Sequence, residues 1–177
     1  MRLQTIILSA VLFMSINLSA HTKERTTVQN KTASSSIYCL PPFERAVLVI
    51  KHYETFHINK YPYIGYGHRI QKGEKLTSNI THRQADSLLR SDLKKLYQFF
   101  LKYGEEHALL LATLAYNVGP TCITGDKHRP ESRLLSKIKR GEKDIQYDYV
   151  DFCRYRGKKI DSIQRRRWAE LRLLYAS

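Results

Sequence analysis

The sequence is short of acidic residues and of cysteine, and each shortage limits what the protein can be. Its 177 residues hold 16 Asp and Glu against 30 Lys and Arg, which gives a formal net charge of +14. Such a balance favours polyanionic partners, through an attraction that salt weakens. Cys39, Cys122 and Cys153 allow at most one internal disulfide. The sequence is compatible with two arrangements: one disulfide with one thiol left over, or three thiols that act as small hydrophobic groups.

Long apolar runs are missing beyond the N-terminus, which excludes a polytopic membrane protein. Arg2 precedes an apolar stretch from Ile6 to Leu18 that ends at the small residue Ala20. This pattern predicts a signal peptide over residues 1–20, because the stretch is shorter than the roughly 20 residues that span a bilayer. The alternative is a retained signal anchor. We expect an exported protein, periplasmic or extracellular, without stable membrane insertion after cleavage.

Metal-ligand spacing is also missing among the seven histidines, so we predict no metal and no cofactor. Residues 21–36 are polar and predict a flexible leader. Residues 37–177 are long enough for one domain with its own core, and we expect it to be a monomer.

The hydrophobic pattern predicts a mainly helical α+β domain with one small β-hairpin. Phe43, Ala46, Val47 and Ile50 recur at helical spacing, and strand is favoured only over residues 61–70. Everything after Thr81 favours helix, beginning with a capping box over residues 81–84. The helices expected after it are 105–118, a segment that starts near Pro130 and ends at Arg140, 142–152 and 161–175.

A glutamate, Glu54, ends the first apolar run just before the sequence Tyr63-Ile64-Gly65-Tyr66-Gly67-His68. A helix end can hold one carboxyl group at the edge of a cleft. Two glycines let the following hairpin backbone approach a ligand closely.

This segment resembles the active-site segment of the phage-type lysozymes, glycoside hydrolase family 24. Further segments resemble that family in the same order, so that the resemblance covers roughly residues 42–175. They are residues 81–93, the core helix that ends in Tyr116-Asn117-Val118-Gly119, residues 132–141, and the Arg-Arg-x-x-Glu block within residues 165–171. The resemblance implies a lysozyme-like domain with a small β-hairpin after the first helix.

The catalytic triad of the family is altered here. Family members carry Gly after the catalytic glutamate and Thr two residues before Gly-x-Gly-His, where this chain has Thr55 and Tyr63. The family aspartate is missing too, since no acidic residue lies between Glu54 and Glu74.

The resemblance implies a muramidase that hydrolyses the β-1,4 bond between N-acetylmuramic acid and N-acetylglucosamine in peptidoglycan glycan strands. Glu54 would be the general acid, and such cleavage generally needs a second group. Tyr63, His57 or His68 can position a water, or a distant carboxylate such as Asp126 can fold over the cleft. Alternatively, a lytic transglycosylase uses the glutamate alone and closes a 1,6-anhydro ring.

Three residues are weaker candidates for substrate binding. Tyr66 can stack on a sugar, Asn117 can hydrogen-bond an N-acetyl group, and Arg165 can bind wall carboxylates. Arg165 and Arg166 are equally compatible with a basic solvated face.

Two non-enzymatic alternatives remain open. One is a lysozyme-fold protein that binds peptidoglycan without cutting it. The other is a nucleic-acid-binding protein with Lys137–Arg140 and Arg165–Arg167 as a basic patch. Export argues against the second, so we predict no nucleic-acid partner.

Overall fold

The fold is built around a helix that is apolar on nearly every side. The computed structural model describes residues 36–77 and 79–175. Its α-helices are Pro42–Glu54 (α1), His82–Phe100 (α2), Glu105–Val118 (α3), Thr121–Thr124 (α4), Arg133–Lys139 (α5), Gln146–Val150 (α6) and Asp161–Leu174 (α7). Its strands are His57–Lys60 (β1), Tyr63–Gly65 (β2), His68–Arg69 (β3), Arg154–Tyr155 (β4) and Lys158–Lys159 (β5), and short 3-10 turns cover Ile37–Cys39 and Leu101–Tyr103.

Helix α1 begins and packs as its sequence predicts. Pro42 occupies the first turn, where its missing N–H costs nothing. Ala46, Val47 and Ile50 are buried, which confirms the apolar face. The helix ends at Glu54, and the next residue, Thr55, has a φ of 57°.

Helix α2 starts with the predicted capping box. The Thr81 hydroxyl accepts from the Gln84 backbone N–H, and the Gln84 side chain accepts from the Thr81 N–H. Both satisfy backbone donors that the first helical turn leaves without a partner.

Helix α3 forms the centre of the core. Eight of its residues are buried, including the run from Leu110 to Ala115. A helix that is apolar all round must be covered on every side. Helices α1, α2 and α7 pack against it and provide that cover.

The small sheet after α1 has strand order β1-β2-β3 and is antiparallel, with Tyr63 opposite Arg69 and Ile64 opposite His68. The predicted β-structure is therefore present, but it starts at His57 and not at residue 61. The mostly polar residues of β1 show no hydrophobic alternation, so the sequence did not predict this strand. The strand is held by its backbone pairing to β2.

A second hairpin, β4–β5, lies between the last two predicted helices, so the prediction that strand is favoured only over residues 61–70 is wrong. Arg156 and Gly157 both have positive φ, 49° and 79°, as a two-residue type I′ turn requires. The four strand residues are exposed, and all of them except Tyr155 are charged. They lack the apolar alternation by which a strand is normally recognised.

Two helices are shorter than predicted. Helix α5 begins at Arg133 because the Ser132 hydroxyl accepts from the Leu135 N–H and caps it there. Helix α6 covers Gln146–Val150 only.

The predicted signal peptide, residues 1–20, lies outside the described residues, as does all but the last residue of the predicted leader 21–36. Among the helices that are described, none combines the length and apolar character of a membrane span. Cys39, Cys122 and Cys153 are free thiols.

Candidate active site

Glu54 lies at the end of α1 with its side chain 18% exposed. Its Oε1 accepts a hydrogen bond from Arg166 Nη1 at 2.7 Å and a longer one from Asn117 Nδ2 at 3.3 Å. Its Oε2 faces the hairpin at Gly67, where a Cβ built on the glycine would lie 3.5 Å from that oxygen. One oxygen is thus held by the protein, while the other points toward the backbone of the hairpin.

Five side chains close a ring that we call the carboxylate clamp: Glu54, Asn117, Arg166, Arg167 and Glu170. Arg166 Nε donates to Glu170 Oε1 at 2.8 Å, and Arg167 Nη1 donates to Glu170 Oε2 at 2.6 Å. Arg167 Nη2 also donates to Asn117 Oδ1. The clamp joins the ends of α1 and α3 to the middle of α7 and fixes the orientation of the Glu54 carboxylate.

The three clamp residues of α7 are buried, and the charges of the clamp balance. Arg166, Arg167 and Glu170 are at most 5% exposed, and two guanidinium groups face two carboxylates. Buried charges are tolerated only when they are paired and hydrogen-bonded in this way. Burial lowers the pKa of Arg166, but the charges of Glu170 and Glu54 outweigh it and raise the pKa overall.

Tyr149 completes the hydrogen bonding of Glu170. Its hydroxyl donates to Glu170 Oε2 at 2.8 Å. Burial is the main cause that raises the pKa of this phenol well above its usual value. Tyr149 therefore stays a neutral donor at any physiological pH.

A cleft of about 510 Å³ lies between the hairpin and the helices α2 and α3. Its lining is mixed, with polar, cationic and aromatic groups that suit a sugar chain. It includes Tyr63, Gly67, Arg69, Asp92, Lys95, Tyr116 and Asn117.

The two glycines of the hairpin have different neighbours. A Cβ on Gly65 would lie 2.7 Å from Ala85 Cβ, so this glycine permits close packing on α2. Gly67 has a φ of 92° and lies between Glu54 and Tyr116. Only Gly67 therefore leaves space in front of the carboxylate, and the Tyr116 hydroxyl fixes this stretch by donating to the Tyr66 carbonyl at 2.9 Å.

His68 lies beneath the hairpin, with both ring nitrogens engaged. Nδ1 is 2.5 Å from Asp92 Oδ2, and Nε2 is 2.9 Å from Glu74 Oε2. Burial of the ring lowers its pKa, but the hydrogen bonds to the two carboxylates outweigh burial, and the pKa is raised. This geometry makes His68 a group that fixes β3 to α2 and leaves no ring nitrogen for a sugar.

Tyr63 and Tyr66, neighbours on the hairpin, have opposite surroundings. Tyr63 lines the cleft and is 46% exposed. Tyr66 is buried, its ring packs against Phe56, and its hydroxyl lies 3.1 Å from His82 Nδ1. The placement of Tyr63 suits contact with substrate, whereas that of Tyr66 suits a core residue.

Arg165 is exposed and outside the cleft lining, while its neighbours Arg166 and Arg167 are buried in the clamp. Sequence reasoning missed these two as partners of Glu54, since a run of three arginines is typical of a solvated surface. The signal that could have found them is the i,i+4 spacing of Arg166 and Glu170 within the block that resembles the lysozymes.

The other candidates for a second catalytic group lie apart from the cleft or are already engaged. The Asp126 carboxylate accepts from the backbone N–H groups of His128 and Arg129 in its own turn. Asp92 is the one carboxylate that lines the cleft in the described part of the chain, and its oxygens contact His68 and Lys95.

The basic stretches that suggested nucleic-acid binding do not form a free patch. Lys137 pairs with Asp144 and Asp148, and Lys139 pairs with Glu131. With Arg166 and Arg167 buried as well, most of these cations are neutralised within the protein.

A solved protein structure has a similar fold. The endolysin from Escherichia coli O157:H7 phage FAHEc1 superposes with a TM-score of 0.58 over 78% of this chain and 98% of its own, at 20% sequence identity. The chain therefore shares the fold of this endolysin.

The phage lysozyme family profile matches residues 48–170, from within α1 to within α7. The chain belongs to the phage lysozyme family, whose substrate class is peptidoglycan. No curated protein matches its sequence.

Proposed function

We propose that the protein is an exported muramidase that hydrolyses the β-1,4 bond between N-acetylmuramic acid and N-acetylglucosamine, with Glu54 as the general acid. The observation that carries this proposal is the asymmetry of the Glu54 carboxylate. Oε1 is held by Arg166 and Asn117, while Oε2 is directed at Gly67 beside the cleft. When Glu54 carries a proton on Oε2, a glycosidic oxygen near Gly67 can receive that proton as its bond breaks.

The second catalytic role falls to a water on the other sugar face. Tyr63 lines the cleft and is half-exposed, which supports a role for its hydroxyl in hydrogen-bonding such a water. His68 supports the same site indirectly, because it fixes the hairpin that carries Gly67.

One observation favours a lytic transglycosylase as the alternative. Asp92, the carboxylate of the cleft lining, is engaged with His68 and Lys95, which leaves no free carboxylate there among the described residues. In that reaction Glu54 protonates the leaving oxygen and then accepts the proton of the substrate's own C6 hydroxyl. That oxygen bonds to the anomeric carbon, and no water is consumed.

The fragments released from purified peptidoglycan separate these reactions. Hydrolysis adds one water and gives reducing ends, whereas transglycosylation gives 1,6-anhydro ends that are lighter by one water. We expect wild-type protein to release reducing-end fragments and Glu54→Gln to lose roughly 10³-fold or more in rate, because the amide cannot donate the proton. Anhydro ends would establish the alternative.

Absence of fragments with both proteins, while binding to peptidoglycan is retained, would identify a non-catalytic wall-binding protein. The matched control is Glu131→Gln, which changes a carboxylate remote from the cleft lining and should keep wild-type activity.

A further inference from the structure

A second pocket lies outside the catalytic cleft, between α6, β5 and α7. Its volume is about 320 Å³. The lining combines two aromatic rings with cationic and hydrogen-bonding groups, and it includes Arg133, Tyr147, Asp151, Lys159, Gln164 and Trp168. The clamp and the cleft use none of these six side chains.

Two aromatic side chains at this pocket are turned toward solvent. Tyr147 is 80% exposed and Trp168 is 37% exposed, and their ring centroids lie 6.3 Å apart at an interplanar angle of 89°. Large aromatic rings are usually buried, so a pair held at the surface beside a pocket indicates a contact site. Rings of this kind offer a flat apolar face to the C–H face of a sugar and a polar edge to its hydroxyls.

The hairpin β4–β5 adds positive charge at the pocket, whose lining includes Lys159. Among the described residues, Arg156, Lys158 and Lys159 have no carboxylate within 4.0 Å of their charged groups, whereas Arg154 is paired with Asp151. The lysines of α5, in contrast, are each paired with an acidic side chain. The hairpin therefore keeps cationic groups available for an anionic ligand.

Helix α7 separates this pocket from the catalytic residues. Gln164 and Trp168 are four residues apart and share one side of the helix. Arg166 and Glu170 project from another side and belong to the carboxylate clamp. Both sites are thus fixed to one rigid helix while they face different directions.

We propose that this aromatic–basic surface, formed by Tyr147, Trp168 and residues 156–159, binds peptidoglycan outside the cleft. A sugar ring packs on the two aromatic rings, and carboxylates of the peptide stems contact the cations of the hairpin. This inference takes one thing from the proposed function, namely that the substrate is peptidoglycan. The pocket favours a glycan over a nucleic acid, since Asp151 and Gln164 in its lining can accept hydrogen bonds from the many hydroxyls of a sugar chain.

A second contact of this kind holds the enzyme on an insoluble substrate between cleavage events. Two sites on one rigid element act at high effective concentration relative to each other, so a weak surface site is enough to prolong residence on the wall.

The sequence provides a direct probe, because Trp168 is the only tryptophan in the chain. Full-length Glu54→Gln protein is titrated with the soluble disaccharide–tetrapeptide unit of peptidoglycan, and Trp168 fluorescence is followed. We expect a saturable change. Tyr147→Ala or the double change Lys158→Glu/Lys159→Glu in the same background should weaken the apparent affinity by about tenfold.

Matched controls isolate the surface. Arg83→Glu/Lys94→Glu alters net charge equally on the exposed face of α2 and should leave the titration unchanged. The same disaccharide unit with amidated stem carboxylates should bind more weakly to the parent protein but equally to the hairpin variant.

The proposal is overturned if Trp168 gives no saturable response, or if the α2 control loses as much affinity as the hairpin variant. Tighter binding of single-stranded DNA or of anionic phospholipid vesicles than of the disaccharide unit would also overturn it. Its failure is distinct from failure of the proposed function. Cleavage of peptidoglycan by wild type without a Trp168 response removes only the second site, and a surface-dependent response without cleavage removes only the catalytic assignment.

Discussion

Glu170 shows how a residue remote from the cleft can control the one that faces it. Both its oxygens are occupied, by Arg166 on one side and by Arg167 and Tyr149 on the other. It is fully buried, and through Arg166 it sets the position of the Glu54 carboxylate.

Replacing Glu170 with Gln should destabilise the fold by about 3–5 kcal/mol, because two buried guanidinium groups then share one remaining carboxylate. We also expect a lower kcat in the fraction that folds, since Arg166 loses the partner that orients it. Urea unfolding measures the first effect, and single-turnover cleavage under stabilising conditions measures the second. Glu131→Gln, at an exposed ion pair, is the control, and equal unfolding curves for the two variants would contradict the clamp.

Thr55 is strained beside Glu54. Its φ of 57° and ψ of −179° lie in a region that is essentially reserved for glycine, and threonine is β-branched as well. This is the position at which the lysozymes carry glycine.

Thr55→Gly should therefore stabilise the protein by about 1 kcal/mol, the relieved strain being partly offset by the greater flexibility of glycine in the unfolded chain. A thermal melt detects this as a higher Tm. Thr55→Ala keeps a Cβ in the same backbone conformation and should bring little gain, so a gain equal to that of glycine would show that φ is not the cause.

At the scale of elements, the hairpin is held in place mainly by side chains that reach it from its neighbours. His68 joins β3 to Asp92 on α2 and to Glu74 in the following loop, and Tyr116 of α3 holds the backbone at Tyr66. Three strands of two to four residues cannot form a stable sheet alone. The position of Gly67 in front of Glu54 thus depends on these cross-links.

The pKa of His68 predicts how stability depends on pH. Its folded pKa is raised above the unfolded value, so its contribution is complete below the unfolded pKa and is lost as pH rises through the folded pKa. The deficit of His68→Asn relative to wild type should be largest, about 1–3 kcal/mol, near pH ~6 and smaller in alkali. Urea unfolding at several pH values measures it. His128→Asn in an exposed loop is the control, and a pH-independent deficit for His68→Asn would refute the linkage.

Sequence reasoning succeeded for elements whose signals are local. The capping box at Thr81 and Gln84 and the apolar run of α3 lie within single segments, and both were predicted. It failed for β4–β5, because an exposed, charged hairpin buries nothing and therefore has no hydrophobic pattern. It also missed Arg166 and Arg167 as site residues, since the i,i+4 spacing of Arg166 and Glu170 does not by itself show that the arginines are buried.

For the whole molecule, the dominant property is its net charge of +14. Many cations are neutralised locally, but among the described residues Arg156, Lys158 and Lys159 of the β4–β5 hairpin have no ion pair, whereas Arg154 pairs with Asp151. A substrate with many carboxylates is attracted over a distance that salt shortens.

Activity on intact peptidoglycan should accordingly fall, by roughly tenfold in kcat/KM, between low and high salt. Cleavage of a short uncharged glycan should change little, because its binding depends on short-range contacts. Turbidity clearance and fragment release over a salt series measure both. An equal loss for the two substrates would place the salt effect on the catalytic site.

The sequence by itself determined the long helices, the placement of Glu54 at the end of the first one, and the family to which the chain belongs, because each depends on residues close together or in a fixed order. Only the tertiary structure decided which side chains surround Glu54. Arg166 lies 112 residues away in the chain, and a buried cation finds its partners from whichever elements the fold brings beside it. The same holds for the pocket at Trp168, where three separate elements place two aromatic rings beside free positive charge.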